Sequence, residues 1–243
     1  MRTNFPGCGV IAKDIGNMRR RFMGTSTEEN SRLYQFISKL SDDGYYVQYM
    51  VNSKNELAAF FFTHDDCIAR ARRFLEIIVI DATYKTNKHK LPYVNIVGVS
   101  NVSREAKSLA SFVVAGAWVP SESATSFTWV MEQLQALVYP VGSKWQPAVI
   151  ISDQSQALMH AMDSVFPDAV KLLCQLHIQR NFEAHLKKLF VNPDSLDNAL
   201  GEIKSICASK HCDDLERYLE AFKKLAVENT LDKGKKAMEY LDR

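Results

Sequence analysis

Two aspartates each end an apolar segment of the chain. Asp81 follows the run EIIVI at 76–80, and Asp153 follows AVIIS at 148–152. Continuous apolar runs of this length are typical of strands that are buried on both faces of a sheet. If the two strands are adjacent and parallel, their ends meet at one edge of the sheet, and the two carboxylates can share divalent cations. Mg²⁺ takes oxygen ligands and keeps waters that a phosphate can replace, so this pair predicts a two-metal site for chemistry at phosphorus.

Each aspartate also has a purely structural alternative. An aspartate that follows a strand often accepts backbone N–H bonds in a turn or caps the next helix. For either residue alone this structural interpretation is the default. Both residues together, in this order of strands, favour the cation site.

A second set of residues could bind zinc. Cys174 and His177 form a C-x-x-H pair just past an apolar run. A site of four ligands would need further residues, such as His185, Cys207, His211 and Cys212. These lack the regular spacing of a zinc finger, so zinc is not expected. A thiol nucleophile with a histidine base is not expected either, because nothing nearby supplies an orienting group or an oxyanion hole.

Two basic clusters are candidates for contact with phosphates. Lys85, Lys88 and Lys90 lie in the turn that follows Asp81, and Arg19, Arg20 and Arg21 lie near the N-terminus. Positive side chains beside a cation site would meet the phosphates that approach it. Exposed turns and helix faces also collect such residues, so a solvated surface is the alternative for both clusters.

Hydrophobic periodicity predicts the elements that position these residues. The predicted strands lie at 45–51, 56–62, 76–83, 91–100, 109–119, 148–153 and 169–174. The predicted helices lie at 64–74, 123–138 and 154–165, and the chain after 177 is expected to be helical, with Asp194 or Ser195 capping its second helix. From residue 76 onward the order is three antiparallel strands, helix, strand, helix and strand, which indicates an α/β fold.

Composition limits the class of protein. The chain has 243 residues, 47% of them hydrophobic, a mean hydropathy of -0.18 and a formal net charge of +2. These values describe a globular protein and exclude a histone-like binder, while a local basic patch on nucleic acid stays possible. Five scattered cysteines argue against a disulfide framework and favour a reducing compartment, either cytosol or nucleus. No apolar run approaches the roughly 18 residues of a membrane helix, so no membrane partner is expected.

Several short motifs occur in a characteristic order. They are DATYKTN at 81–87, LP at 91–92, VGV at 97–99, SDQSQAL at 152–158, FP at 166–167, and CQLH at 174–177 with Asn181. Together they resemble the transposase domain of Mutator-like elements, a family that includes domesticated plant regulators of the FAR-RED-impaired-response type. The resemblance covers about 74–186. It implies a ribonuclease-H-like core at 74–186, preceded by an α+β unit at 1–73 and followed by the start of a helical insertion at 187–243.

The resemblance also implies a function. The family carries a catalytic Asp, Asp, Glu set, in which Asp81 matches the first position and Asp153 the second. The implied cofactor is Mg²⁺ or Mn²⁺, and the implied partner is DNA, as element terminal repeats and target. A metal-bound water, and later a DNA 3′-hydroxyl, would be the nucleophile. Nuclear localisation and a possible homo-oligomer are expected, and the role of Cys174 and His177 stays open.

The third acid of the set is not found in the sequence. The glutamates beyond residue 153 that lie on polar helix faces do not match the family's motif; they are Glu202, Glu216, Glu220, Glu228 and Glu239. We therefore expect a chain that is truncated before its third carboxylate, with low or absent activity. A catalytically inactive DNA-binding or regulatory module on the same fold is the main alternative, and a ribonuclease is a weaker one.

Overall fold

One mixed sheet organises the first part of the molecule. The computed structural model describes residues 35, 37–53, 57–83, 91–102 and 108–242. The strands are β1 (Tyr45–Val51), β2 (Leu57–His64), β3 (Ile77–Thr83), β4 (Tyr93–Ser100), β5 (Ala110–Trp118), β6 (Val149–Ser152) and β7 (Val170–Leu173). In the sheet they lie in the order β1-β2-β5-β4-β3-β6-β7. The helices of this part are α1 (Asp65–Arg73), α2 (Ala124–Leu137) and α3 (Gln156–Val165), and residues 37–42 are also helical.

The predicted order of elements is confirmed. Strands β3, β4 and β5 pair antiparallel, and β6 pairs parallel to β3. A parallel neighbour needs a crossover connection, which α2 supplies between β5 and β6. The molecule is therefore a mixed α/β protein with a seven-stranded sheet.

The N-terminal hairpin belongs to the same sheet as the central strands. Strand β2 pairs with β5, placing Phe62 opposite Gly116. The register of β4 with β5 shifts after Ile96, so that Val114 has no partner on β4. The carbonyl of Val114 accepts a 2.7 Å hydrogen bond from the buried Thr63 hydroxyl, which ties the bulge to the hairpin. The sheet thus continues across residue 73, and the domain boundary expected there stays a prediction.

The two faces of the sheet are covered differently. On the first face Ile78, Ile80 and Ile96 pack in one core cluster with residues of α2 and α3, including Phe127 and Leu158. The second face carries a separate aromatic cluster where the hairpin meets β5. Its buried members are Leu40, Tyr45, Leu57, Phe60, Leu91 and Trp118. Side chains alternate between faces along each strand, so each odd-numbered side chain of β3 lies on the second face.

The rest of the chain is helical and forms a second compact unit. The division falls between Met1–Leu172 and Leu173–Arg243. The second unit contains α4 (Gln175–Leu186), α5 (Pro193–Ala208), α6 (Cys212–Asn229) and α7 (Lys235–Leu241). Its own core includes Phe190, Ile203 and Phe222. None of the helices described in either unit is long and apolar enough to cross a membrane.

The predicted cap of α5 is wrong by two or three residues. The cap is Asn192, whose side chain accepts a 2.9 Å hydrogen bond from the backbone N–H of Asp194. Pro193 stands at the first helical position, where its fixed φ suits the helix and its missing N–H costs nothing. The helix therefore starts before Asp194 and Ser195, and neither can cap it.

Candidate functional site

The two aspartates lie on neighbouring parallel strands: Asp81 is two residues before the end of β3, and Asp153 directly follows the end of β6. Ile80 of β3 is opposite Ser152 of β6, so the next residue on each strand is Asp81 or Asp153. Adjacent strands are about 4.8 Å apart, which brings the two residues side by side at one end of the strand pair. Both are partly exposed. The condition set by the sequence analysis, that the two strands are adjacent and parallel, is met.

Local hydrogen bonds hold both carboxylates. The Thr83 hydroxyl donates to Oδ2 of Asp81 at 3.4 Å. The backbone N–H of Ser155 donates to Oδ1 of Asp153 at 3.3 Å, and the Ser155 hydroxyl accepts from the N–H of Leu158, capping α3. Asp153 therefore has the structural role that the sequence left open. That role uses a single hydrogen bond to Oδ1, so the carboxylate keeps acceptor sites for another ligand.

The donor set of this pair fits a hard divalent cation. Carboxylate oxygens are the ligands that Mg²⁺ and Mn²⁺ prefer, and Mg²⁺ is commonly held by one or two carboxylates together with substrate phosphates. Among the described residues no group of three or more His, Cys, Asp or Glu side chains converges. Asp81 and Asp153 can thus hold a cation jointly with a phosphate, and they do not form a closed cage of protein ligands.

A polar residue next to Asp81 was missed by the sequence analysis. Asn95 of β4 is directly opposite Asp81, and Gly116 of β5 is directly opposite Asn95. Asn95 lies between Val94 and Ile96 in a largely apolar strand, where asparagine is disfavoured. A polar asparagine in an apolar strand was the signal in the sequence that could have indicated a functional residue. Only the pairing register shows which residue Asn95 lies opposite.

Tyr93 brings a hydroxyl to the same place. Its oxygen lies 2.5 Å from the point where a Cβ on Gly116 would stand, and Cζ of Phe62 lies 2.7 Å from that point. The ring of Tyr93 packs 4.9 Å from that of Trp118. Burial raises the pKa of the Tyr93 phenol to about 12, so the hydroxyl keeps its proton near neutral pH and can donate a hydrogen bond.

Cys174 and His177 lie at the start of the second unit. Cys174 precedes α4, makes no side-chain capping bond, and accepts through its carbonyl from the N–H of Ile178 at 3.0 Å. His177 is in the first turn of α4. Of the cysteines named for zinc, Cys207 is partly buried, and burial raises the pKa of its thiol. A raised thiol pKa disfavours the thiolate that binds metal.

The predicted basic contacts fall outside the part of the chain that the structure describes. They are Lys85, Lys88 and Lys90 in the sequence between β3 and β4, and Arg19, Arg20 and Arg21 near the N-terminus. Their proposed contacts with phosphates stay predictions.

The domain family of this region follows from comparison with known proteins. Residues 77–181 match the MULE transposase domain. The match starts at β3, contains both aspartates and ends within α4. The resemblance inferred from the motifs is confirmed for these residues.

Individual relatives extend the similarity beyond the MULE domain. FAR1-RELATED SEQUENCE 5 of Arabidopsis thaliana is 22% identical over 212 residues, which are 86% of this chain and 25% of that protein. FAR1-RELATED SEQUENCE 6 of the same plant is 21% identical over 160 residues, covering 65% of this chain and 21% of the relative. A PKS-NRPS hybrid synthetase, cheA, of Chaetomium globosum is 23% identical over 194 residues, 76% of this chain and 4% of the synthetase. The chain thus spans a quarter or less of the length of these relatives.

Proposed function

We propose that this protein acts on DNA through a divalent cation held by Asp81 and Asp153, cleaving phosphodiesters and transferring strands as a DDE-type transposase does. The observation that carries the proposal is the MULE match, which contains both of these carboxylates on neighbouring strands. Mg²⁺ or Mn²⁺, when bound there, would lower the pKa of a water and stabilise charge on the reacting phosphate. The protein itself then needs no nucleophilic side chain, and its task is to bind and orient the DNA.

A ribonuclease-H-like core is the arrangement that we propose for β3 to β7. Three antiparallel strands are followed by a helix, a fourth strand parallel to the first, a second helix and a fifth strand. The spatial order β5-β4-β3-β6-β7 puts the first and fourth of these strands in the centre. The chemistry requires carboxylates on neighbouring central strands, and β3 carries Asp81 while Asp153 follows β6.

Contacts with DNA beyond the cation are proposed for the basic clusters. Lys85, Lys88 and Lys90 follow the strand that carries Asp81 in the sequence, and we propose that they contact a phosphate at the carboxylate pair. Arg19, Arg20 and Arg21 are proposed to contact the duplex elsewhere. Such contacts add affinity that falls as salt rises. A protein that acts on genomic DNA would work in the nucleus.

Charge-removing substitutions test the cation site. We expect Asp81→Asn and Asp153→Asn each to lower Mn²⁺ affinity at least about 10-fold, because each removes an anionic ligand. Manganese binding is measured by electron paramagnetic resonance, and cleavage of a labelled duplex by gel electrophoresis in Mn²⁺. Asp168→Asn is the matched control, since Asp168 is exposed in the same unit and lies outside the site. Unchanged Mn²⁺ affinity and cleavage in both site variants would contradict the proposal.

A second candidate function is a catalytically inactive DNA-binding or regulatory module. It is favoured by the FAR1-related relatives and by the structural use of Asp153, whose Oδ1 accepts a hydrogen bond from the backbone N–H of Ser155 at the start of α3. On this proposal the double variant Asp81→Asn, Asp153→Asn keeps the full DNA affinity of the wild type in EDTA, and the wild type cleaves nothing in Mn²⁺. Metal-dependent cleavage that the double variant loses would rule this candidate out.

A further inference from the structure

We propose that Asn95 and Tyr93 are phosphate-binding residues that donate hydrogen bonds to the nucleic-acid strand at the Asp81 site. The inference rests on the proposed function and adds to it the groups that contact the substrate backbone. It starts from three neighbouring positions on the second face of the sheet, Asp81, Asn95 and Gly116, which the register sets in one row.

The Asn95 amide is available for a ligand. Its side chain is partly buried, and no group in the described part of the chain hydrogen-bonds it. Its polar atoms are not among the buried unpaired side-chain atoms of the described residues, so they reach solvent, and a bound phosphate would replace water as their partner. An apolar residue would fit the strand better, so packing alone gives no reason for asparagine at this position.

Asn95 lies where an uncharged hydrogen-bond donor can offset the repulsion between a phosphate and the two carboxylates. Asp153, Asp81 and Asn95 follow one another across β6, β3 and β4, at steps of about 4.8 Å. A phosphate that approaches two carboxylates is repelled on that side. The neutral amide on the other side of Asp81 carries two N–H donors and no charge, so it can bind a phosphate oxygen without adding to the repulsion.

Gly116 makes room for the second donor. Because residue 116 has no side chain, the Tyr93 hydroxyl occupies the space beside Asn95 on the β5 side. Any Cβ there would meet that oxygen at 2.5 Å. Tyr93 is itself fixed by its contact with Trp118. The amide and the hydroxyl therefore form an adjacent pair of donors on the same face as Asp81.

The test measures DNA affinity and cation affinity separately. Binding of a short fluorescein-labelled duplex is followed by anisotropy in EDTA, and Mn²⁺ binding is followed by electron paramagnetic resonance without DNA. We expect Asn95→Ala to weaken DNA binding about 10-fold, as the loss of one hydrogen bond to a charged group implies. Asn95→Asp, which has nearly the same shape, should weaken it at least as much, because it adds a negative charge. Tyr93→Phe should weaken DNA binding by about 3-fold or more.

Asn101→Ala is the matched control, since Asn101 is an exposed asparagine just beyond the far end of β4. It should leave DNA affinity within about 2-fold of the wild type, and none of these variants should lower Mn²⁺ affinity. DNA affinity of both Asn95 variants within about 2-fold of the wild type would overturn the inference. So would a loss of Mn²⁺ affinity in Asn95→Ala that Asn95→Asp restores, because Asn95 would then be a cation ligand. If instead the proposed cation site is wrong, the Asp81→Asn variant will bind Mn²⁺ as tightly as the wild type. This result is distinct from the outcomes for the Asn95 variants.

Discussion

Oδ1 of Asp153 accepts a hydrogen bond from the backbone N–H of Ser155, and this bond helps to start α3. The other carboxylate oxygen, Oδ2, does not take part in this bond. The choice of substitution at this residue therefore matters. Asparagine keeps an acceptor oxygen for the turn and removes only the charge, whereas alanine removes both. Differences between Asp153→Asn and the wild type can then be assigned to the charge of the carboxylate.

Replacing Gly116 is predicted to lower the free energy of unfolding. A Cβ at this position would lie 2.5 Å from the Tyr93 hydroxyl and 2.7 Å from Cζ of Phe62, so Gly116→Ala must push at least one ring out of place. We expect a loss of about 1–3 kcal/mol in the free energy of unfolding, the usual cost of overpacking. Urea unfolding followed by tryptophan fluorescence measures it.

Gly201→Ala is the control for this prediction. A Cβ on Gly201, in the interior of α5, would meet nothing within 4 Å. Alanine favours the helix over glycine by up to about 1 kcal/mol, so this variant should be equally or more stable by circular dichroism. A Gly116→Ala protein as stable as the wild type would show that the close approach of Tyr93 is absent.

At the level of elements, α1 stabilises the C-terminal end of α2 through a single side chain. Arg72 donates from Nε to the Val138 carbonyl at 2.9 Å and from Nη2 to the Leu137 carbonyl at 3.1 Å. Its guanidinium also lies 4.5 Å from the centre of the Trp145 ring. The last carbonyls of a helix have no hydrogen-bond partner within the helix, and they carry partial negative charge. A cationic donor at this end therefore supplies the missing hydrogen bonds and also interacts favourably with the helix dipole.

We therefore expect Arg72→Lys to destabilise the first unit by about 1–2 kcal/mol. Lysine has a single ammonium that cannot reproduce the planar fork or its stacking on Trp145. The urea midpoint by tryptophan fluorescence is the measurement. Arg70→Lys, at an exposed position of the same helix, should change stability by less than about 0.5 kcal/mol. Equal effects of the two substitutions would contradict the proposed role of Arg72.

At the level of the whole molecule, the chain contains two units with separate hydrophobic cores. The second unit is built around residues of α4, α5, α6 and α7, with Phe222 fully buried in its centre. An isolated antiparallel bridge between Phe190 and Thr230 joins two of its connecting segments. The buried Thr230 hydroxyl donates to Ala226 and accepts from the N–H of Gly234 at 2.7 Å, which fixes the turn before α7.

Phe222→Ala tests the core of the helical unit. Removing a fully buried phenylalanine leaves a cavity and should cost about 3–5 kcal/mol of local stability. Hydrogen exchange of amides in α5 and α6, read by mass spectrometry, measures the loss directly. Leu231→Ala is the control in the same unit, because Leu231 is 93% exposed and should matter by less than about 0.5 kcal/mol. Full protection in Phe222→Ala would show that this side chain does not hold the unit together.

Local patterns were sufficient to predict most elements of the fold. Apolar runs and capping residues gave the strands and helices, because burial and helix capping act on residues close in sequence. The cap of α5 was the exception, since Pro193 moved the start of the helix. That the strands of Asp81 and Asp153 pair in parallel was only a condition of the sequence argument, and the register of the sheet meets it.

The sequence by itself determined the α/β class, the two aspartates that follow apolar runs and the domain family that residues 77–181 match. Only the tertiary structure decided which side chains surround Asp81. Asn95, Gly116 and Tyr93 come from strands whose register depends on a bulge at Val114 and on pairing across many residues. A shift of one residue would turn each of these side chains to the opposite face. That register is fixed by the packing of the whole sheet, and no short segment of the sequence contains it.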